Sequence, residues 1–145
     1  MRPRLARQSD VDALWDNLDF IDCFATDHAP HSSIEKDVEF DKAAFGIIGL
    51  ETSLALSLAL VRDGVISIET LVEKMSKNPA RIIGVENGIK KELPADLTII
   101  DTEIEHTVNA DTFYSLSRNT PFDGMEVKGK ATATVVNGNI VYSAD

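Results

Sequence analysis

The chain has 145 residues, 43% of them hydrophobic, and a formal net charge of −10. That length holds one domain with a real core or two small lobes, and falls well short of the ~250 residues of a complete eight-stranded α/β barrel. The acidic balance excludes nucleic acid and anionic membrane surfaces as natural partners, because both carry negative charge, and the single cysteine, Cys23, excludes an intramolecular disulfide and suits a reducing cytoplasm.

Met1 to Arg7 is basic, but no apolar core of the kind a secretory leader needs follows it. Ser9 to Leu18 predicts a short helix capped by Ser9, with Val11, Leu14, Trp15 and Leu18 on one face. That stripe makes Trp15 a core residue rather than a binding platform. Phe20 to Ala25 predicts a short buried strand, with Cys23 a core residue in its middle rather than a nucleophile.

From Thr26 to Gly46 the chain is polar, and a loop of ~20 residues in a compact domain is usually functional or mobile. Gly49 to Arg62, with Leu50, Leu54 and Leu58, predicts a largely buried helix ended by Gly64. Its longest apolar stretch, Leu54 to Val61, is far too short for a bilayer, which takes ~20 residues. Ser67 caps a second helix running to about Ser76. Asn78-Pro79 starts a third, which Gly84 closes.

Near Val85 the character changes. Leu97–Ile100, Ile104–Val108, Val127–Lys130 and Thr132–Val136 read as strands, which makes His106 structural. Asn137-Gly138 before Asn139–Tyr142 is a hairpin signal, because that dipeptide supplies the positive φ angles of a tight turn. The expected fold is therefore α/β, with a βα portion over residues 1–86 and a small antiparallel β lobe over 87–145. Short strands alone bury little, so the faces of that lobe need a partner.

The chemistry concentrates in Ala-Thr-Asp27-His28-Ala-Pro30-His31. Asp27 and His31 straddle Pro30, so they do not share a helical turn. They sit on a loop just past an apolar run, and groups released at the carboxyl end of a strand are how a barrel enzyme builds its site. A carboxylate there can ligate a cation and carry a proton. An imidazole four residues on can ligate or bind an anionic group. Singly, an Asp at a strand end is most often a turn residue and a loop histidine is most often solvated; together they leave few structural explanations.

The motif, followed by Glu35-Lys36 and Phe45-Gly46-Ile-Ile-Gly49-Leu-Glu-Thr52, resembles the dihydroorotases of the amidohydrolase superfamily. So do Asn78-Pro-Ala-Arg-Ile-Ile83, Ala95-Asp-Leu-Thr-Ile-Ile-Asp101 and Arg118-Asn-Thr-Pro-Phe-Asp-Gly124, in order along essentially the whole chain. The resemblance implies the terminal βα portion of a (β/α)8 metal-dependent hydrolase barrel plus part of a β-sandwich. It implies reversible conversion of N-carbamoyl-L-aspartate to dihydroorotate with one or two Zn2+ ions.

By the same resemblance, Asp27 is the last metal ligand and the general base, and His31 contacts the substrate carboxylate. Phe45 and Gly46 give backbone hydrogen bonds to the ring amide. His28 is loop structure. For Arg118 to Phe122 the resemblance implies packing of the lobe on the barrel, and the residues themselves favour a structural turn. Ile89 to Pro94 lacks the glycine usual in the family before Ala95-Asp-Leu, which puts the turn there in question.

The family's remaining ligands include a His-x-His pair, a carboxylated lysine and two further histidines. This sequence has three histidines and no His-x-His. The resemblance thus implies a C-terminal fragment, inactive alone, whose partner is the missing N-terminal part or a homo-oligomer. The alternative is a non-catalytic remnant that serves as a binding or regulatory module. A fragment of this kind is expected to expose strand edges and the Leu50, Leu54 and Leu58 face.

Overall fold

A computed structural model describes residues 7–144. Of the basic stretch Met1 to Arg7, all but Arg7 lies outside the described residues. The chain divides into two compact units. The first gathers Ala25–Ser53 and Thr107–Glu126 with the segment ending at Phe20; the second gathers Ile21–Phe24, Leu54–His106 and the chain from Val127 onward. Neither is a continuous stretch of sequence. No helix among the described residues is long and apolar enough to cross a membrane.

In the first unit, helix α1 runs Gln8–Asp16. Its start is two residues earlier than Ser9 predicts, because Asp10 reaches back to accept from the Arg7 N–H at 3.0 Å and so closes the first turn. No α1 residue is buried, and Trp15 is 43% exposed. The expectation of a core Trp15 is thereby corrected: the apolar stripe exists, but nothing described covers it. A helix the sequence did not predict, α2 (Ser33–Lys36), interrupts the polar connection; Ser32 caps it and Glu35 completes the capping box.

The second unit carries α3 (Ser53–Arg62, whose first residue belongs to the other unit), α4 (Ile68–Val72) and α5 (Asn78–Ile83). Ala55 and Leu58 of α3 are buried, whereas Leu50 precedes the helix and is 62% exposed. The predicted leucine stripe therefore reduces to its C-terminal part. Ser67 caps α4 through the Thr70 N–H, and Gly64 and Gly84 take the left-handed φ that ends a helix.

Asn78 does not start a new helix. Lys77 and Asn78 are both helical, and a π-turn over Glu73–Lys77 joins α4 to α5 without a break. The Asn78 N–H reaches Glu73 O, five residues back.

Phe20 to Ala25 forms no strand. A strand exists only through hydrogen bonds to a neighbouring strand, and none is present among the described residues. The continuous helix of α4, the π-turn and α5 supplies substitutes. The buried Lys74 ammonium donates to Ile21 O at 2.6 Å, Phe24 N–H donates to Lys74 O at 3.0 Å, and Asn78 Nδ2 donates to Asp22 O at 2.9 Å.

The sheet has strands β1 (Leu97–Thr107), β2 (Glu126–Val136) and β3 (Asn139–Ser143) in that spatial order. The four predicted strands before the hairpin are two long ones. Val136 opposes Asn139, with Asn137 at φ 49° and Gly138 at φ 78°, so the predicted two-residue hairpin is present. Helix α3 packs on β2 at Gly129, where φ is 103° and a Cβ would run into Leu58 Cδ1. The predicted need for partners is visible in β1, where Leu97, Ile99 and Ile100 are all more than a third exposed. Glu92 sits at φ 72° in the turn where the family glycine is missing.

Candidate active site

The predicted site residues Asp27, His31, Phe45 and Gly46 all fall in the first unit. Asp27 has φ 45°, left-handed backbone that costs about 1–2 kcal/mol for a residue with a Cβ and that Asp tolerates better than most. Its carboxylate is exposed and enters no ion pair among the described residues.

His28 next to it is structural, as expected. Its Nδ1 accepts from the N–H groups of Gly49 at 3.1 Å and Leu50 at 3.3 Å. That assignment leaves the proton of the neutral ring on Nε2.

His31, Phe45 and Gly46 are brought together. His31 Nε2 lies 2.8 Å from Phe45 O; a carbonyl only accepts, so Nε2 carries the proton and donates. Ala29 N–H donates to Ile47 O at 2.9 Å, which aligns the motif loop with the segment after Phe45. Gly46 has φ 112°, and a Cβ there would collide with Ala29 Cβ. Only glycine lets these two backbones approach so closely.

The carbonyl oxygens of this segment are already in use. Lys36 Nζ donates to Ala44 O and Gly46 O, both at 2.6 Å, and Asn119 Nδ2 donates to Gly46 O at 3.1 Å. With both lone pairs of Gly46 O taken, Gly46 can offer a ligand only its N–H.

On the other side of His31, Glu35 Oε1 lies 3.8 Å from Nδ1, close enough to pair with a protonated ring. Glu35 is held below the usual carboxylate range, first by the Ser32 N–H, then by the Ser32 hydroxyl, with a smaller contribution from His31. A cleft of about 440 Å3 opens beside this group, lined by His31, Ser32, Lys36, Ser117, Arg118 and Asn119 among others.

Three residues of this arrangement escaped sequence reasoning as contributors: Lys36, Ser117 and Asn119. Arg118 to Phe122 reads as a turn, and the observed turn lies over residues 121–124, overlapping only its end. Yet Ser117, buried at 7% exposure, and Asn119 hold the motif loop through its backbone. The available signal was Ser-x-Asn, two short side chains of the kind that bond backbone groups, set in a loop with no pattern to say which backbone they reach.

A profile of the amidohydrolase family matches residues 2–141. The chain belongs to the amidohydrolase family. This amidohydrolase is 56% identical over 147 residues to the dihydroorotase of Desulforapulum autotrophicum, covering 100% of this chain and 34% of the relative. It is 50% identical to the dihydroorotase of Geobacter metallireducens over 145 residues, 98% of this chain and 34% of that one. Among solved structures, the L-hydantoinase (dihydropyrimidinase) from Arthrobacter aurescens aligns with TM-score 0.90 at 35% identity, over 99% of this chain and 34% of that chain. The amidohydrolase chain thus spans about a third of the length of the curated relatives it matches.

The family implies a metal, and the residues present do not fit one by themselves. No group of three or more His, Cys, Asp or Glu gathers among the described residues. His28 offers its protonated Nε2, and His31 Nε2 is turned onto Phe45 O. Asp27 is left as one candidate ligand where a catalytic zinc takes three from protein.

Proposed function

We propose that this chain is part of a dihydroorotase-like cyclic amidohydrolase that interconverts N-carbamoyl-L-aspartate and dihydroorotate in the cytoplasm. The observation that carries the reading is 56% identity to a dihydroorotase over the whole chain; the Asp27–His31 loop lies within that match. In this reading residues 1–86 are the last portion of a (β/α)8 barrel and 87–145 are part of a β-sandwich lobe. The remaining two thirds completes the barrel, and a homo-oligomer is the other arrangement that would cover the exposed faces.

The proposed roles follow from what each group can do. Asp27 is an exposed carboxylate able to accept and return a proton. In ring closure the carbamoyl nitrogen attacks the substrate's side-chain carboxyl carbon and water leaves. Asp27 takes the nitrogen's proton and passes it to the departing oxygen, and a second proton from solvent completes the water. His31, beside Glu35, contacts the substrate's other carboxylate. The backbones of Phe45 and Gly46 contribute hydrogen bonds to the ring amide, the latter through its N–H. Zinc, one or two ions, would be held by Asp27 only together with ligands from outside this sequence.

The test is complementation. The purified chain is mixed with a separately produced N-terminal two thirds of a dihydroorotase and zinc, and dihydroorotate formation is followed. Activity that needs both pieces and disappears with Asp27→Asn is expected. A complex that assembles and binds zinc yet turns nothing over refutes the enzyme reading and leaves the binding-module one.

A further inference from the structure

Asn119 is bonded at every polar atom of its side chain. Nδ2 donates to Ala29 O at 3.0 Å and to Gly46 O at 3.1 Å. Oδ1 faces the Ser117 hydroxyl and, at 3.5 Å, the His31 N–H. Its backbone O accepts from Ile48 N–H at 3.2 Å. The orientation of the amide is fixed by this set, because the flipped amide would put oxygen against two carbonyls.

Ser117 Oγ accepts from His31 N–H at 3.1 Å and lies against both His31 O and Asn119 Oδ1, its one proton serving one of them. Both sides of the motif loop, Ala29 and His31, and Gly46 of the opposite segment therefore meet on two side chains from a third stretch of chain, distant in sequence, while Ile48 bonds the Asn119 backbone.

We infer that Asn119, supported by Ser117, is the positioning residue that sets the His31 imidazole on Phe45 O and fixes the spacing between the motif loop and the Gly46 backbone. The assignment rests on the proposed role of His31 as the group that binds the substrate carboxylate. The physical reason is preorganisation. The His31 ring is held by its bond to Phe45 O and by Glu35 at 3.8 Å from Nδ1, and a ring on a loop loses that pose unless its backbone is tied on both sides. Asn119 and Ser117 tie the backbone N–H and O of His31 itself, while Asn119 fixes the distance to the acceptor's neighbour.

Asn119→Asp is the sharp perturbation. It keeps the shape, removes both donors and turns a carboxylate toward two carbonyl oxygens. Ser117→Ala is milder and removes a single hydroxyl. The full chain, labelled with 15N, is compared with both variants by imidazole 15N shifts and amide exchange.

The parent is expected to show His31 as one tautomer with its proton on Nε2. In both variants the ring signals move toward the average of two tautomers, and the His31 amide exchanges at least tenfold faster while the Gly138 hairpin is unchanged. Should Asn119→Asp lose its spectral dispersion, Ser117→Ala decides alone. Unchanged ring signals overturn the inference, and so does faster exchange spread evenly over residues 7–144.

A second arm reads function in the complemented enzyme. There KM for carbamoyl aspartate is expected to rise about tenfold with kcat within threefold, because a binding group and not the proton carrier has been loosened. Equal loss in kcat overturns the inference. Absence of turnover in the parent, with the ring result intact, overturns the proposed function instead.

Discussion

Gly46→Ala isolates the geometric demand at the centre of the site. At φ 112° a side-chain-bearing residue is strained, at about 1–3 kcal/mol. The new methyl also meets Ala29 Cβ, and forcing one methyl into filled space costs about 1–3 kcal/mol more. The sum is about 4 kcal/mol.

Gly64→Ala is the control, with φ 71° and nothing within 4 Å of its Cβ position; there the backbone term acts alone, about 1–2 kcal/mol. For a chain of this size each kcal/mol moves Tm by about 3 °C. Gly46→Ala should therefore lower Tm by about 12 °C and Gly64→Ala by about 5 °C, read by circular dichroism.

The double variant Ala29→Gly/Gly46→Ala removes the methyl that is struck. It should recover the collision part and leave the backbone part. Equal Tm losses at positions 46 and 64, or no recovery in the double variant, would refute the claim that Gly46 is required by the closeness of the two backbones.

Glu92→Gly and Asp27→Gly both relieve positive φ at a residue with a Cβ, at 72° and 45°. Each should raise stability by about 0.5–1 kcal/mol after the added flexibility of the unfolded chain is subtracted, and only Asp27→Gly should abolish activity on complementation; a fall in Tm for Glu92→Gly would count against the strained turn. Glu35 is ionised more readily when folded than when unfolded, where the ordinary value is 4.5. Its contribution to the α2 cap is complete above that value and disappears as pH falls through the lowered folded value. Amide protection of Ser32 and Glu35 followed from neutral pH down into the acid range should therefore drop in step with carboxyl protonation, and protection that is flat with pH refutes it. The isolated chain should show no turnover with zinc present, since Asp27 is one ligand where three are needed; turnover abolished by Asp27→Asn would overturn this. It should also associate, because Phe20, Phe40 and Leu116 are 85%, 92% and 100% exposed, and a monodisperse monomer by light scattering would argue otherwise.

Much of the local structure was legible because its causes are local. Ser67, Gly64 and Gly84 act within one turn of their own helix, and Asn137-Gly138 within its own hairpin. The Phe20–Ala25 strand misread shows the limit. Apolar and β-branched content says that a segment favours extended backbone, but pairing depends on a neighbour that composition cannot name.

The third helix failed similarly. Asn-Pro is a fair start signal, yet the helix ran on through a π-turn because the preceding residues stayed helical. In the site, Asp27, His31, Phe45 and Gly46 were visible as a motif and its resemblance. Ser117 and Asn119 act from about ninety residues away on backbone atoms, which leave no trace in the side-chain pattern.

The Asn78-Pro79 pair has a consequence for how the chain holds an extended segment without a sheet. In the π-turn the Asn78 N–H is spent on Glu73 O. The next claimant on the Lys74 carbonyl would be residue 79, and a proline brings no hydrogen to the exchange. One rung of the helix is left open on its side, and Phe24 fills it with its own N–H at 3.0 Å. A helix with a missing rung behaves as a sheet edge one residue long. Any other residue at position 79 would restore a rival donor, so a ring usually valued for its stiffness serves here through its silence.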